Sequence, residues 1–275
     1  MTNLFNYIER SSPIHRLTGA TKLICLLLWT FAAMITYDTR LLALLFIGAL
    51  VLFKLSGIRP GEIKFMLYAT FAFCLLNNIT IFMLSPQHGV DIYGSKTILF
   101  SLGGPYVVTA QQLFYHLNLF LKYLGTIPLV ILFVCTTNPS EFAASLNRIG
   151  VNYKIAYSVA LALRYIPDIQ REFHDISLSQ QARGIEMSKK ETLIKRLQAA
   201  SGILIPLIMS SMDHITVISN AMELRGFGKE KKRTWYMGKR YETSDYICIA
   251  ICIALLGFTM WLLYSAGTRF YNPFL

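Results

Sequence analysis

This sequence is poor in charged residues, and its acidic residues are the scarcer kind. Only 15% of the 275 residues are charged, whereas a soluble domain carries about a quarter. Hydrophobic residues make up 54% of the chain, and its mean hydropathy is +0.47. These values exclude a typical soluble domain and indicate an integral membrane protein.

The sequence also lacks the patterns of most catalytic and metal sites. It has no His-Glu-x-x-His pair, no carboxylate pair and no serine-nucleophile motif, so no catalytic residue is predicted. The run at 94–97, Gly-Ser-Lys-Thr, fails as a phosphate loop because Gly and Lys must be adjacent there. Five cysteines lie in or beside apolar stretches without metal-site spacing, so no metal is predicted. They are Cys25, Cys74, Cys135, Cys248 and Cys252.

Five apolar stretches approach the length of about 20 residues that a membrane-spanning helix needs. They cover residues 21–37, 41–57, 65–85, 109–135 and 246–266. No cleavable signal peptide is predicted, because the first stretch lacks a clear cleavage site and is followed by further spans. Residues 86–108 carry glycines, prolines and short β-prone runs, which predicts an outer loop with a small hairpin. The predicted fold class is an all-α integral membrane protein with about five transmembrane helices.

Basic residues concentrate between residues 136 and 245, which hold sixteen of the chain's 26. The positive-inside rule places this block and the N-terminus in the cytoplasm, and five spans then place the C-terminus outside. Because basic residues alternate with apolar spans, nucleic acid is not the predicted partner. The predicted domains are 1–135 with four spans, 136–245 as a cytoplasmic or interfacial module, and 246–275 as the last transmembrane helix.

Start and stop signals divide the cytoplasmic block into three helices. Asn138-Pro139-Ser140-Glu141 predicts the start of a short helix that ends near Arg148. The second helix is predicted from Tyr153 to Arg183. The third covers residues 191–225, and its uncharged part, 198–212, fits a sixth span or a helix along the membrane surface. We favour the surface position, because Asp213 follows directly.

Each long helix ends on an Arg-Gly pair, within Ala182-Arg183-Gly184 and Leu224-Arg225-Gly226. One such ending is a common structural feature, since Gly follows many helices and a cation suits the negative end of the dipole. Two endings on neighbouring helices favour a function as well. The planar guanidinium pairs carboxylates with two hydrogen bonds, so we predict two exposed arginines that dock on partner proteins.

These endings resemble the two signature motifs of the transmembrane T component of energy-coupling factor (ECF) transporters. Residues 181–184 are similar to the family's Ala-Arg-Gly motif. Residues 221–227 are similar to its Ala-Met-Glu-Ala-Arg-Gly-Phe motif, with Leu224 in place of the last alanine. Three further segments resemble the family in the same order. They are Ser12–Leu17 followed by Lys22, Thr136–Pro139, and Ala162–Pro167.

The resemblance implies a scaffold without an active site. Two cytoplasmic ATPase subunits, which bind the ATP, would dock on Ala182, Arg183 and Gly184 and on Leu224, Arg225 and Gly226. A small membrane S component that captures a vitamin, metal ion or similar micronutrient would dock on the uncharged helix. The residues implied there are Leu197, Leu204, Leu207, Ile208 and Ser211. Two or three long amphipathic helices would form the coupling module, and the chain itself would bind no cofactor.

Two other interpretations stay open at this point. The chain could be the permease of an ordinary ABC importer, or a membrane adaptor or enzyme without ATPase partners. Ionisable groups inside a span are functional candidates, which applies to His116 and Lys122, and structural contacts or snorkelling are the alternative. The basic run at 229–240 is expected to attract anionic lipid. The transported substrate does not follow from the sequence.

Overall fold

The computed structural model describes residues 10, 12–101, 106–184, 193–230, 234–235 and 238–274. The side chains of Ser101, of residues 193–199 and of Ala266 are outside that description. The chain divides into two compact units. The first unit comprises residues 1–138 and 239–275, and the second comprises residues 139–238.

The first unit is built mainly from apolar helices that agree with the five predicted spans within a few residues. In chain order its helices are α1 (Pro13–Arg16), α2 (Gly19–Ile35), α3 (Thr39–Ser56), α4 (Lys64–Leu84), α5 (His88–Tyr93), α6 (Ala110–Thr136) and α10 (Thr243–Ala266). Strands β1 (Ile98–Ser101) and β2 (Val107–Thr109) pair antiparallel and form the predicted hairpin. Helix α5 was not predicted from the sequence.

The second unit contains the three helices predicted for the charged block. They are α7 (Pro139–Arg148), α8 (Tyr153–Ala182) and α9 (Leu193–Leu224). Helices α8 and α9 each contain an internal proline, Pro167 and Pro206. Residues 191–192, where α9 was predicted to begin, lie outside the described residues.

Capping side chains explain where the apolar helices begin. The Thr18 side chain accepts a hydrogen bond from the Thr21 amide at the start of α2, and Asp38 accepts from the Arg40 amide at the start of α3. Thr109 does the same for α6. A capping oxygen satisfies one amide that the first helical turn leaves without a partner. Short polar residues therefore divide the apolar sequence into separate spans.

Five helices in the described part of the chain are long and apolar enough to cross a membrane. They are Thr39–Ser56, Lys64–Leu84, Ala110–Thr136, Ala200–Leu224 and Thr243–Ser265. Helix α2 is apolar but has only 17 residues. The all-α membrane fold is confirmed. Because most of α9 also has the length and hydropathy of a span, the position along the membrane surface stays a prediction.

The core of the first unit is organised around Trp29 of α2. Its indole Nε1 donates a hydrogen bond to the Gly125 carbonyl of α6, at 3.2 Å. A Cβ atom at Gly48 of α3 would lie 2.7 Å from the Trp29 ring. Small residues let helix backbones approach closely in a membrane. Gly48 thus gives the indole room against α3, and Gly125 lets α6 approach the α3 backbone at Phe46.

Two buried glutamines at the start of α6 hold the loop that contains α5 and β1. The Gln112 side-chain oxygen accepts from the Gly89 amide at 2.6 Å, and that of Gln111 accepts from the Thr97 amide at 3.0 Å. Both glutamines are essentially inaccessible to solvent. Buried amide groups need such partners, because an unpaired one costs free energy. These bonds place α5 directly against α6.

This close approach predicts that Gly89→Ala destabilises the first unit. The new Cβ would lie 2.6 Å from the Gln111 carbonyl oxygen, so α5 must move away from α6. Overpacking of this kind costs about 1–3 kcal/mol. Thermal unfolding of the detergent-solubilised protein measures the loss. Gly257→Ala in α10 is the control, since nothing lies within 4 Å of its Cβ position; equal stability of the two variants would contradict the prediction.

Candidate functional site

Helices α8 and α9 of the second unit run antiparallel. The ring of Phe227, just after α9, lies 5.7 Å from the ring of Tyr153 and 4.9 Å from that of Tyr157, both in the first turns of α8. Near the other end of α8, the Gln180 side chain donates to the Gly202 carbonyl at 3.2 Å. The end of each helix is therefore close to the beginning of the other.

This antiparallel packing places Arg183 and Arg225 at opposite ends of the helix pair. Helix α8 has 30 residues, and at a rise of ~1.5 Å per residue it is about 45 Å long. Both arginines are exposed, as predicted. The sequence showed two similar helix endings, but it did not show that they lie at opposite ends of the helix pair.

The first ending is a helix stop that leaves Arg183 accessible. The Arg183 amide donates to the carbonyls of Ser179 and Gln180, at 3.3 and 3.1 Å, and the Gly184 amide donates to Gln181 at 3.0 Å. Gly184 has φ +83°. An L-residue with a side chain rarely adopts this conformation, so glycine is favoured there. Gly184 thus turns the chain, and Arg183 stays at the end of α8.

The second ending adds an aromatic anchor to the same kind of stop. The Gly226 amide donates to Glu223 at 2.9 Å, and the Phe227 amide donates to Met222 at 2.9 Å. Gly226 has φ +66° and directs Phe227 back toward α8. Leu224 is 89% exposed beside the exposed Arg225. This ending therefore presents an apolar side chain next to a cation.

The residues predicted for S-component docking do not share one surface. Leu204 and Ile208 are 48% and 56% exposed, whereas Leu207 is only 9% exposed. Ser211 lines a cavity between α8 and α9, and the Leu197 side chain lies outside the described residues. Other apolar residues of α9 continue the exposed side. They are Ile205, Met209 and Met212.

Between their two contacting ends, α8 and α9 leave a cavity of about 740 Å³. Tyr165 and Ile169 of α8 and Ile215 and Ile218 of α9 are among its apolar lining residues. A cavity of this size means that the middle of the pair is not tightly packed. Packed interiors resist displacement because they have few alternative arrangements. This pair therefore has space in which one helix can shift against the other.

The N-terminal segment that resembles the T-component family has structural contacts in the first unit. The Lys22 ammonium donates to the Thr136 carbonyl at the end of α6, at 2.8 Å. A cation at this position complements the negative end of the α6 dipole. The buried Asp245 carboxylate accepts from the Thr18 amide at 2.9 Å, which ties α10 to the start of α2. Residues 12–22 thus link the ends of three helices.

His116 and Lys122, the ionisable candidates within α6, also contact other parts of the first unit. His116 Nδ1 lies 2.8 Å from the Asn78 amide oxygen of α4. The Lys122 ammonium donates to the Met34 carbonyl at 2.9 Å and lies 3.9 Å from the centre of the Tyr37 ring. These contacts join α6 to α4 and to the end of α2. They support the structural interpretation of both residues.

The aromatic anchor predicts that Phe227→Ala loosens the helix pair. Its two ring contacts are worth ~0.5–1.5 kcal/mol each, so local stability should fall by about 1–3 kcal/mol. Amide hydrogen exchange in the first turns of α8 measures this opening. Leu224→Ala is the control, because this neighbouring side chain is 89% exposed. Unchanged exchange in Phe227→Ala would show that the ring does not hold the pair together.

Comparison with known proteins identifies similar sequences along almost the whole chain. A family model described as CbiQ, cobalt transport protein, matches residues 10–236. The energy-coupling factor transporter transmembrane protein EcfT of Leuconostoc gelidum subsp. gasicomitatum is 32% identical over 171 residues, which are 59% of this chain and 62% of that protein. EcfT of Bacillus selenitireducens is 26% identical, covering 89% and 91% of the two chains. EcfT of Streptococcus thermophilus is 28% identical, covering 90% and 94%.

Proposed function

The chain belongs to the CbiQ and EcfT family of transmembrane transport components, and we propose that it is the T subunit of an ECF-type importer. In this role it binds two cytoplasmic ATPase subunits and a small membrane S component. The ATPases bind and hydrolyse ATP, the S component captures the micronutrient, and this chain couples the two. It is a non-catalytic subunit that binds no nucleotide itself.

The separation of Arg183 and Arg225 is the observation that carries this proposal. The length of α8, about 45 Å, lies between them and exceeds the diameter of a small domain, about 30 Å. Two exposed arginines so far apart fit two separate partner proteins better than a single binding groove on one partner. Two copies of a similar ATPase subunit, or two related ones, could each receive one Arg-Gly ending. The two endings share a helix stop and an exposed arginine. Two similar ATPase subunits would need two such similar binding sites.

At each ending, we assign binding to one arginine and its immediate neighbours. The guanidinium would pair a carboxylate in a groove of the ATPase, where exclusion of water strengthens the hydrogen bonds. Leu224, which is 89% exposed, would cover apolar surface beside Arg225. Ala182 leaves space next to Arg183 for close approach of the partner. Glycines 184 and 226 contribute by ending the helices, so the arginines project from the tips.

Coupling follows from the way the two helices are held. Contacts at Phe227 and at Gln180 join α8 and α9 near their ends, while a cavity separates them between these contacts. When ATP binding changes the distance between the ATPases, the two tips must shift relative to each other. The space between the helices permits this shift, and α9 would pass it to the S component. Leu204 and Ile208 form the exposed apolar contact proposed for that component.

In the proposed orientation, the second unit and the N-terminus lie in the cytoplasm and the C-terminus lies outside. The T subunit contacts its partner proteins and not the transported substrate. The S component therefore selects the substrate, which is a vitamin, metal ion or similar micronutrient. The cobalt named in the family description is one such substrate class.

Charge reversal at either tip should separate the chain from its ATPases. Arginines at the centre of interfaces contribute ~2 kcal/mol or more, so Arg183→Glu and Arg225→Glu should each weaken association roughly 30-fold. The double variant should lose both ATPases. Co-purification from membranes that express all subunits gives the stoichiometry, and uptake of the substrate gives the functional loss.

Arg171→Glu is the matched control for both variants. Arg171 lies on α8 with 81% of its side chain exposed, away from either tip. The Arg171→Glu variant should retain both ATPases and normal uptake. Full uptake by the double tip variant would refute the assignment. Two copies of this chain in each complex, without an S component, would instead favour an ordinary ABC permease.

A carboxylate in the exposed apolar face of α9 should block S-component docking. Leu204→Asp introduces a charge that an apolar interface leaves without a partner, at a cost of several kcal/mol. The S component should then be lost from the purified complex while both ATPases remain. Val217→Asp, at a residue of α9 that is 68% exposed but outside the proposed contact, is the control. Retention of the S component by Leu204→Asp would contradict this contact.

A further inference from the structure

The first unit contains a second candidate binding site, whose lining includes no residue of either Arg-Gly ending. It is a groove of about 380 Å³ between α2, α3, α6 and α10. Leu26, Leu52 and Leu129 are among its lining residues, and Trp29 lies against Gly48 at one end. The volume falls within the range of ligand sites, about 300–1,000 Å³. The wall is almost wholly apolar, so it fits a hydrocarbon ligand.

The groove opens toward the surroundings of the first unit. Ile251 of α10 and Val51 of α3 line it and are 59% and 50% exposed. The groove therefore reaches the surface of the first unit at α3 and at α10. Because α3 and α10 have the length and hydropathy of membrane spans, lipid is the medium expected around them. A lipid chain can therefore enter from the side.

The dimensions of the groove favour an acyl chain over a helix of a partner. Along α2 it extends from Lys22 to Trp29, a distance of about 10 Å at the helical rise of ~1.5 Å per residue. A spanning helix is about 30 Å long and at least ~10 Å wide with its side chains. Such a helix is too long to be held within this groove. A single hydrocarbon chain is much narrower, and part of its length can lie there.

Basic residues gather at the end of the groove opposite Trp29. Lys22 lines it directly, and the exposed Arg16 comes directly before the lining residue Leu17 in the chain. The Lys239 ammonium donates to the His15 carbonyl at 3.3 Å, so it lies at the same end. Positive charge at the end of an apolar channel complements a phosphate headgroup attached to an acyl chain.

Two carboxylates also lie at this end, and their negative charge opposes the binding of an anionic headgroup. The buried Asp245 carboxylate accepts hydrogen bonds from the amides of Thr18 and Glu242, at 2.9 and 2.8 Å. Its charge is thus already stabilised by the protein. Glu242 is exposed. Lys22 is buried and donates to the Thr136 carbonyl at 2.8 Å, so the exposed Arg16 is the cation that a headgroup can approach most directly.

We propose that this groove binds one anionic phospholipid, with an acyl chain between α2, α3, α6 and α10 and the phosphate near Arg16, Lys22 and Lys239. The lipid fills a gap between helices that otherwise contact each other around Trp29. The proposal is independent of ATPase docking, because the groove lies entirely within the first unit.

Photo-crosslinking in proteoliposomes tests the site with the unaltered 275-residue chain. The probe is phosphatidylglycerol with a diazirine on one acyl chain, at low mole fraction in phosphatidylcholine vesicles. Adducts should concentrate on the segments 17–29 and 248–252. Unlabelled phosphatidylglycerol should compete for them, whereas added phosphatidylcholine should not. Adducts spread evenly over the lipid-facing side of α10, or equal competition by both lipids, would overturn the proposal.

A pair of neighbouring isoleucines provides a matched control. Ile251 and Ile253 of α10 are 59% and 56% exposed, but only Ile251 is among the residues that line the groove. Ile251→Trp should reduce the adducts at least fivefold, and Ile253→Trp should leave them unchanged. Equal effects of the two substitutions would show ordinary boundary lipid. Because the competition measurement uses the unaltered chain, a folding defect in a variant does not prevent a decision.

The headgroup contact has its own test. Each basic residue near a membrane surface changes the attraction of an anionic lipid about fivefold. Arg16→Gln should therefore lower the preference for phosphatidylglycerol over phosphatidylcholine about fivefold. The exposed Arg59, in the connection between α3 and α4, is the control as Arg59→Gln. An unchanged preference in Arg16→Gln would remove the assigned headgroup position.

Discussion

The packing of Phe227 against the first turns of α8 determines the geometry of the second unit. Its ring lies 5.7 and 4.9 Å from those of Tyr153 and Tyr157, and this contact closes an antiparallel pair of long helices. Antiparallel packing is what separates the two exposed arginines by the length of a helix. If the helices were parallel, both arginines would lie at one end and could meet a single partner. The proposed division of binding between two ATPases depends on this contact.

In the first unit, polar side chains lie inside an otherwise apolar protein and need hydrogen-bond partners there. Gln111 and Gln112 are buried and hydrogen-bonded to backbone amides of the loop before α6. Lys22 and Lys122 donate to carbonyls near the ends of α6 and α2. Each of these polar side chains satisfies a backbone group that a helix end or a loop leaves without a partner. The first unit thus supplies a stable frame, while the second retains a cavity between its long helices.

Sequence patterns predicted most of the elements, and the exceptions have physical causes. Apolar runs and capping residues located the spans within a few residues, because both signals are local. Helix α5, with six residues, is too short to produce a periodic pattern. The docking residues proposed on α9 were chosen for lack of charge, and the structure separates exposed Leu204 from buried Leu207. Burial depends on which neighbour covers a residue, and composition does not contain that information.

The sequence by itself determined the class of the protein, the positions of the helices and the two exposed Arg-Gly endings. Each depends on residues close together in the chain, such as Gly184 and Gly226, which adopt positive φ directly after a helix. Only the tertiary structure decided that Arg183 and Arg225 lie at opposite ends of the helix pair, and that Lys22 meets the end of α6. It also decided that a groove with a basic end lies between four helices. These features come from contacts between residues far apart in the chain, and such contacts depend on how whole helices pack.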